Sequence, residues 1–180
     1  MLAEDSVLLR EGLIGLLSRC GHEVVAAVGD AQALIAAVEE HAPDIVVTDV
    51  RMPPGFQDEG LHAAVRLREQ RPTLPVLVLS QYVQRTYAAE LLDSGDGSGV
   101  GYLLKDRVGQ VEEFVEALRE VADGGTVVDP AAGPTQLRAW RERAAERRVG
   151  VAPSTPRGSP AFGDRVRLGR PPTGTFSPSR

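Results

Sequence analysis

The ten residues from Ile45 to Pro54, Ile-Val-Val-Thr-Asp-Val-Arg-Met-Pro-Pro, constrain this chain more than any others. Three β-branched apolar residues in a row suit a strand buried on both faces, and the Pro-Pro-Gly that follows cannot continue a ladder of hydrogen bonds. Asp49 is therefore placed where a parallel strand gives way to a loop. That rim of an open α/β sheet is where ligands and chemistry collect.

The flanking sequence supplies the rest of such a sheet. Met1-Leu2-Ala3 has the character of the end of a first strand, shorter than expected because Glu4-Asp5 follows at once. Ser6 is placed to cap a helix with Leu9, Leu13, Leu16, Leu17 and Cys20 along one face, ending at Gly21. A second strand is expected over 23–29, then a helix capped by Asp30 that runs to His41. After the Asp49 strand, Asp58 is placed to cap a third helix carrying Leu61, Ala64, Val65 and Leu67. A fourth strand, Val76 to Leu79, ends at Ser80, and a fourth helix covers about 85–93. Gly95 to Gly101 read as a turn, and a fifth strand, Tyr102-Leu103-Leu104, ends at Lys105-Asp106. The fifth helix, about 111–123, is stopped by Gly124-Gly125. Strands alternating with amphipathic helices give a doubly wound, five-stranded parallel sheet with helices on both faces.

In that arrangement Glu4, Asp5, Asp49, Ser80 and Lys105 come to one rim from distant parts of the sequence. Three crowded carboxylates repel one another unless a cation joins them, and a hard divalent ion with oxygen ligands, magnesium, fits best. Asp5 and Asp49 would bind it directly, and Glu4 through a water or from one layer further out. A carboxylate beside a metal and a lysine can attack phosphorus and form an aspartyl phosphate. Lys105 would then stabilise the phosphoryl oxygens and the Ser80 hydroxyl would bond one of them. Lys105 is the only lysine in a chain with 19 arginines, and a guanidinium does not reproduce its compact charge.

With these residues in place, 1–130 resembles the receiver domain of two-component response regulators of the NarL/LuxR type. Ala3-Glu4-Asp5-Ser6, Thr48-Asp49-Val50-Arg51-Met52-Pro53-Pro54 and Gly101-Tyr102-Leu103-Leu104-Lys105-Asp106 carry the likeness. The resemblance implies a flavodoxin-like sheet of order 2-1-3-4-5 and phosphoryl transfer to Asp49 from a phosphohistidine of a sensor histidine kinase. It implies Mg2+ held by Glu4, Asp5, Asp49 and the Arg51 carbonyl, and a switch through Ser80 and Tyr102 that biases the fourth helix and fifth strand, ancestrally to control transcription. It also implies a homodimer built on helices four and five or one and five. A haloacid-dehalogenase-like phosphatase would need a second acid where Arg51 stands. Another alternative is a receiver-like interaction module that takes no phosphate because its short first strand misplaces Glu4 and Asp5.

The charge divides the chain. Residues 1–130 carry 10 Lys+Arg against 22 Asp+Glu, and residues 131–180 carry 10 Arg against 3 Asp+Glu, so an acidic domain precedes a basic tail. A basic linker helix is expected within 131–149, and 150–180, rich in Pro, Gly, Ser and Arg, is expected to be disordered. No helix-turn-helix is found there, which makes DNA binding doubtful; a frameshift just past Asp129-Pro130 would account for such a tail. No apolar run approaches the roughly 20 residues of a membrane span, and a cytoplasmic location is expected. Cys20 excludes a disulfide framework by being alone. His22, His41 and His62 read as surface residues. Gly95, Gly97, Gly99 and Gly101 miss the dinucleotide register and precede a strand where that motif needs a helix.

Overall fold

The computed structural model describes residues 1–82, 85–94 and 98–132. The expected linker helix and disordered tail, with Gly95 and Gly97, lie outside them. The described chain runs β1 (Leu2–Ala3), α1 (Val7–Arg19), β2 (Ala27–Val28), α2 (Ala31–His41), β3 (Val46–Asp49), α3 (Glu59–Gln70), β4 (Val76–Ser80), α4 (Arg85–Leu92), β5 (Val100–Leu104), α5 (Val111–Ala122) and β6 (Thr126–Val128). A 3-10 turn, Lys105–Gly109, joins β5 to α5, and a second, Pro130–Ala132, follows β6. Every strand pairing is parallel and the order is β2-β1-β3-β4-β5-β6.

The doubly wound plan and the 2-1-3-4-5 order hold, with one correction: the sheet has six strands, because Thr126-Val127-Val128 pairs with Val100-Gly101-Tyr102 at the edge. The strands are buried on both faces, so their side chains alternate between two cores. In β4, Val76 and Val78 join Leu34, Val38, Leu61, Leu67 and Tyr102 on the side covered by α2, α3 and α4. Leu77 and Leu79 join Leu13, Leu17, Phe114, Leu118 and Val121 on the side covered by α1 and α5.

The first strand is two residues long, yet it is paired on both sides. Leu2 donates to the Ala26 carbonyl at 3.0 Å and Glu4 to that of Val28 at 3.0 Å, while Val47 donates to the Met1 carbonyl at 2.9 Å. β2 is correspondingly shorter than its expected span, since a strand extends only as far as its neighbour. β5 begins two residues before its expected start, so Gly101 belongs to the strand and not to the turn. A Cβ there would stand 2.4 Å from Leu77 Cδ1 and 2.7 Å from Val121 Cγ2, so its lack of a side chain lets α5 close on the sheet.

Helix starts follow the expected caps in part. Asp30 accepts from the Ala33 N–H at 2.8 Å and Ser6 from that of Leu9 at 3.5 Å. Asp58 occupies the cap position of α3 without making the bond; its carboxylate lies 3.4 Å from His62 Nδ1. Two further polar residues are buried, and of these His22 departs from its expected place on the surface. His22 is only 6% exposed, packed inside the α1–β2 connection. Arg68 of α3 is fully buried and donates to the Ser94 hydroxyl and to the carbonyls of Leu74, Ser94, Ser98 and Gly99. It thereby ties α3 to the segment between α4 and β5.

Candidate phosphoacceptor site

Parallel strands all end on one rim, and β1, β3, β4 and β5 deliver Glu4 and Asp5, Asp49, Ser80 and Lys105 there. One carboxylate oxygen each from Glu4, Asp5 and Asp49 lie within 4.8 Å of one another. Lys105, leaving the last residue of β5, reaches across two strands: its Nζ donates to Asp49 Oδ2 at 2.7 Å and to Glu4 Oε1 at 3.0 Å. The other Glu4 oxygen is in ion contact with Nζ at 2.8 Å.

The acids are poorly solvated, and the lysine counters the cost. Burial pushes the Asp49 carboxyl above its usual value, opposed by the bonds from Lys105 and from the Arg51 N–H, with Asp5 adding a repulsive charge. Burial likewise raises Glu4, again against the Lys105 bond, and Asp49 repels it. Burial would lower the Lys105 ammonium, but its bonds to Asp49 and Glu4 outweigh that and hold it above its ordinary value. A cluster of hard oxygen donors that repel one another and need a cation suits a divalent ion such as magnesium.

Glycine at position 60 is what lets α3 brace this rim. The Gly60 N–H donates to the Val50 carbonyl at 2.9 Å, and a Cβ on Gly60 would fall 1.9 Å from the Asp49 carbonyl oxygen. Thr48 donates its hydroxyl to that same oxygen at 3.0 Å.

Ser80 and Tyr102 form a second group beside the first. Ser80 Oγ donates to the Tyr82 carbonyl at 2.7 Å, and the phenol of the buried Tyr102 donates to that carbonyl at 2.9 Å. The Arg51 guanidinium lies 5.5 Å from the centre of the Tyr82 ring, linking the loops after β3 and β4. Of the residues singled out in the sequence, Glu4, Asp49 and Lys105 meet directly, Asp5 has a carboxylate oxygen within 4.8 Å of the other two acids, and Ser80 and Tyr102 meet through Tyr82. Sequence reasoning missed the Tyr82 carbonyl, since a backbone group leaves no mark in residue type. It also missed Gly60, whose only signal was a glycine in the first turn of an otherwise regular helix.

Residues 1–119 match the family model of the response regulator receiver domain. The transcriptional regulatory protein PdtaR of Mycobacterium tuberculosis is 32% identical over 126 residues, 67% of this chain and 58% of that protein. The oxygen regulatory protein NreC of Staphylococcus epidermidis is 33% identical over 130 residues, 72% of this chain and 56% of that protein. The chain thus spans less than two thirds of the length of these relatives. Among solved structures, the signal receiver domain of the response regulator NarL from Mycobacterium tuberculosis superposes with a TM-score of 0.53 at 28% identity, covering 66% of this chain and 93% of that one.

Proposed function

Because the chain belongs to the response regulator receiver domain family, a signalling family and not one of turnover enzymes, we propose that it is a phosphorylation switch whose acceptor is Asp49. The observation that carries this reading is the Lys105 ammonium bonded at once to Asp49 and Glu4 inside a three-carboxylate cluster. An Asp49 oxygen attacks the phosphorus of a phosphohistidine on a sensor kinase, the P–N bond breaks, and an acyl phosphate forms. The attack is in line, and Lys105 supplies positive charge to the oxygens of the transferred group. Magnesium, held by Glu4, Asp5, Asp49 and the Arg51 carbonyl, would supply further positive charge to those oxygens. The residues fit it, being hard oxygen donors close enough to share one ion.

Ser80 then exchanges the Tyr82 carbonyl for a phosphoryl oxygen, and the state of the loop after β4 is passed to Tyr102 and to the face made by α4 and β5. Ancestrally this face serves to control transcription, with a homodimer as one output; the receiver unit itself occupies 1–130. No helix of the described residues is long and apolar enough to cross a membrane.

The test is to incubate the purified chain with magnesium and acetyl phosphate and measure intact mass. One phosphoryl adduct is expected, lost in Asp49→Asn and in the presence of a chelator. A folded parent chain that takes no adduct would overturn the reading in favour of an inert receiver-like interaction module.

A further inference from the structure

The described chain does not leave the sheet at the end of α5. Gly124-Gly125 turns it back, β6 is laid against β5, and the next residue, Asp129, is fully buried. The Asp129 N–H donates to the Tyr102 carbonyl at 2.8 Å. Its carboxylate accepts from the Leu104 N–H at 3.0 Å, the Ala131 N–H at 2.8 Å, and Arg107 Nε at 3.1 Å and Nη2 at 3.4 Å. Arg107 also donates to the Gln110 side chain at 3.1 Å, where α5 begins.

These bonds bracket Lys105. Leu104 immediately precedes it, Arg107 follows it by two residues, and Tyr102 lies three residues before it. Lys105 itself stands at the first position of a 3-10 turn, whose hydrogen-bond geometry is poorer than an α-helix's, so the turn alone fixes its backbone weakly. A lysine also has a flexible four-carbon stem, and where its ammonium can reach is set by where its backbone is held. Burial pushes the Asp129 carboxyl up, yet Arg107 and two N–H groups outweigh it and hold that carboxyl below the usual range, so a charged clamp is maintained there. A strand end needs no buried charge to terminate, and the bonds of this one converge on the lysine's own turn.

We propose that Asp129 and Arg107 form a latch that positions Lys105, making the phosphoacceptor site dependent on residues beyond α5 and beyond the 1–119 matched by the family model. Both are positioning residues: they reach the acceptor only through Lys105. The inference rests on the reading that Lys105 serves phosphoryl transfer, and it places the start of whatever follows residue 130 in mechanical contact with the site.

The lone lysine gives a direct readout. Full-length chain labelled with 13Cε-lysine shows Lys105 as one resonance, and acetyl phosphate with magnesium gives the adduct rate. Arg107→Gln is the first variant, because Asp129 keeps two backbone donors and Arg107 is partly exposed, so the fold is kept. Displacement of the Lys105 resonance and an adduct rate about tenfold lower are expected, with part of the rate recovered in Arg107→Lys, which adds a second lysine and is compared by rate alone. Asp129→Asn should do the same or more. A resonance and rate in Arg107→Gln equal to the parent's would overturn the latch, as would a variant that melts earlier but keeps both; if Asp129→Asn fails to fold, Arg107→Gln alone decides. Should the parent take no phosphoryl group, the functional reading fails separately, and the lysine resonance still decides the latch.

Discussion

Replacing Gly60 by alanine sets two physical effects against each other, and the structure decides which wins. In an exposed helix the change is favourable by about 1 kcal/mol, since alanine loses less backbone entropy on folding. Here the new Cβ would stand 1.9 Å from the Asp49 carbonyl oxygen and 2.9 Å from Met52 Cε, where real Cβ contacts below 3.0 Å essentially do not occur. Met52 can rotate, but the Asp49 carbonyl is backbone at the end of a fully buried strand. The start of α3 or the end of β3 must therefore retreat by about 1 Å. Overpacking against an obstacle without rotamers belongs at the upper end of its range, roughly 3 kcal/mol. The net loss is about 2 kcal/mol, or about 7 °C in Tm for a domain of this size. Because the retreat moves Asp49 relative to Lys105, the adduct rate with acetyl phosphate should fall as well. A thermal melt and a mass time course on Gly60→Ala check both. A variant as stable as the parent would refute the reasoning, because helix propensity would then have outweighed the contact.

Two further predictions concern buried polar residues away from the rim. Burial, with repulsion from Arg119, holds the His22 imidazole below its ordinary value, and its two ring nitrogens have no hydrogen-bond partner among the described residues. The unfolded chain therefore binds the proton more readily, and stability should fall as pH drops below about 6.5, by at most about 1.4 kcal/mol per unit. His22→Leu should flatten that part of the curve; urea unfolding at pH 5.5 and 7.5 tests it, and an unchanged slope would exclude His22 as the cause. Arg68→Met should cost roughly 3 kcal/mol, because it leaves several buried carbonyls without their donor. Amide exchange should quicken first at Ser94, Ser98 and Gly99, whose groups bond Arg68, and uniform protection after the substitution would contradict the role assigned to Arg68.

The sequence made the parallel sheet and its acidic rim legible because both rest on residue type. β-branched runs name buried strands, helical spacing names the packed faces, and Asp49 and Lys105 are ionisable residues at strand ends. What remained hidden depends on contacts between distant segments. β6 is three residues long, and its only signal, Thr126-Val127-Val128 after a glycine turn, is too short to distinguish a strand from a loop. Arg68 carried a weak sign, since it stands four residues after Ala64 on the face of α3 that packs inward, but an arginine there reads as a boundary of the apolar stripe. His22 read as a surface residue because nothing in its own segment marks its burial, and the Arg119 charge that acts on it comes from α5, nearly a hundred residues away. Asp129 drew no reading from the sequence beyond marking where the tail begins, and the pairing of β6 with β5 is what brings it to Arg107.

The same distinction separates the two halves of the proposed switch. The acceptor half consists of charges that attract over several ångströms, so Glu4, Asp49 and Lys105 are already joined before any phosphoryl group arrives. The responding half consists of neutral hydroxyls, which act only at contact distance, and both Ser80 and Tyr102 spend theirs on one carbonyl of Tyr82. A phosphoryl oxygen on Asp49 offers Ser80 a charged acceptor, and a charge-assisted bond is roughly twice as strong as the neutral one it replaces. Once Ser80 turns, the Tyr82 carbonyl loses its 2.7 Å partner while Tyr102 retains its own bond. The Tyr82 carbonyl would then be bonded to the tyrosine of β5 and no longer to Ser80. That tyrosine lies on the strand whose end leads directly into Lys105, so in the proposed switch acceptor and output face would be coupled through β5.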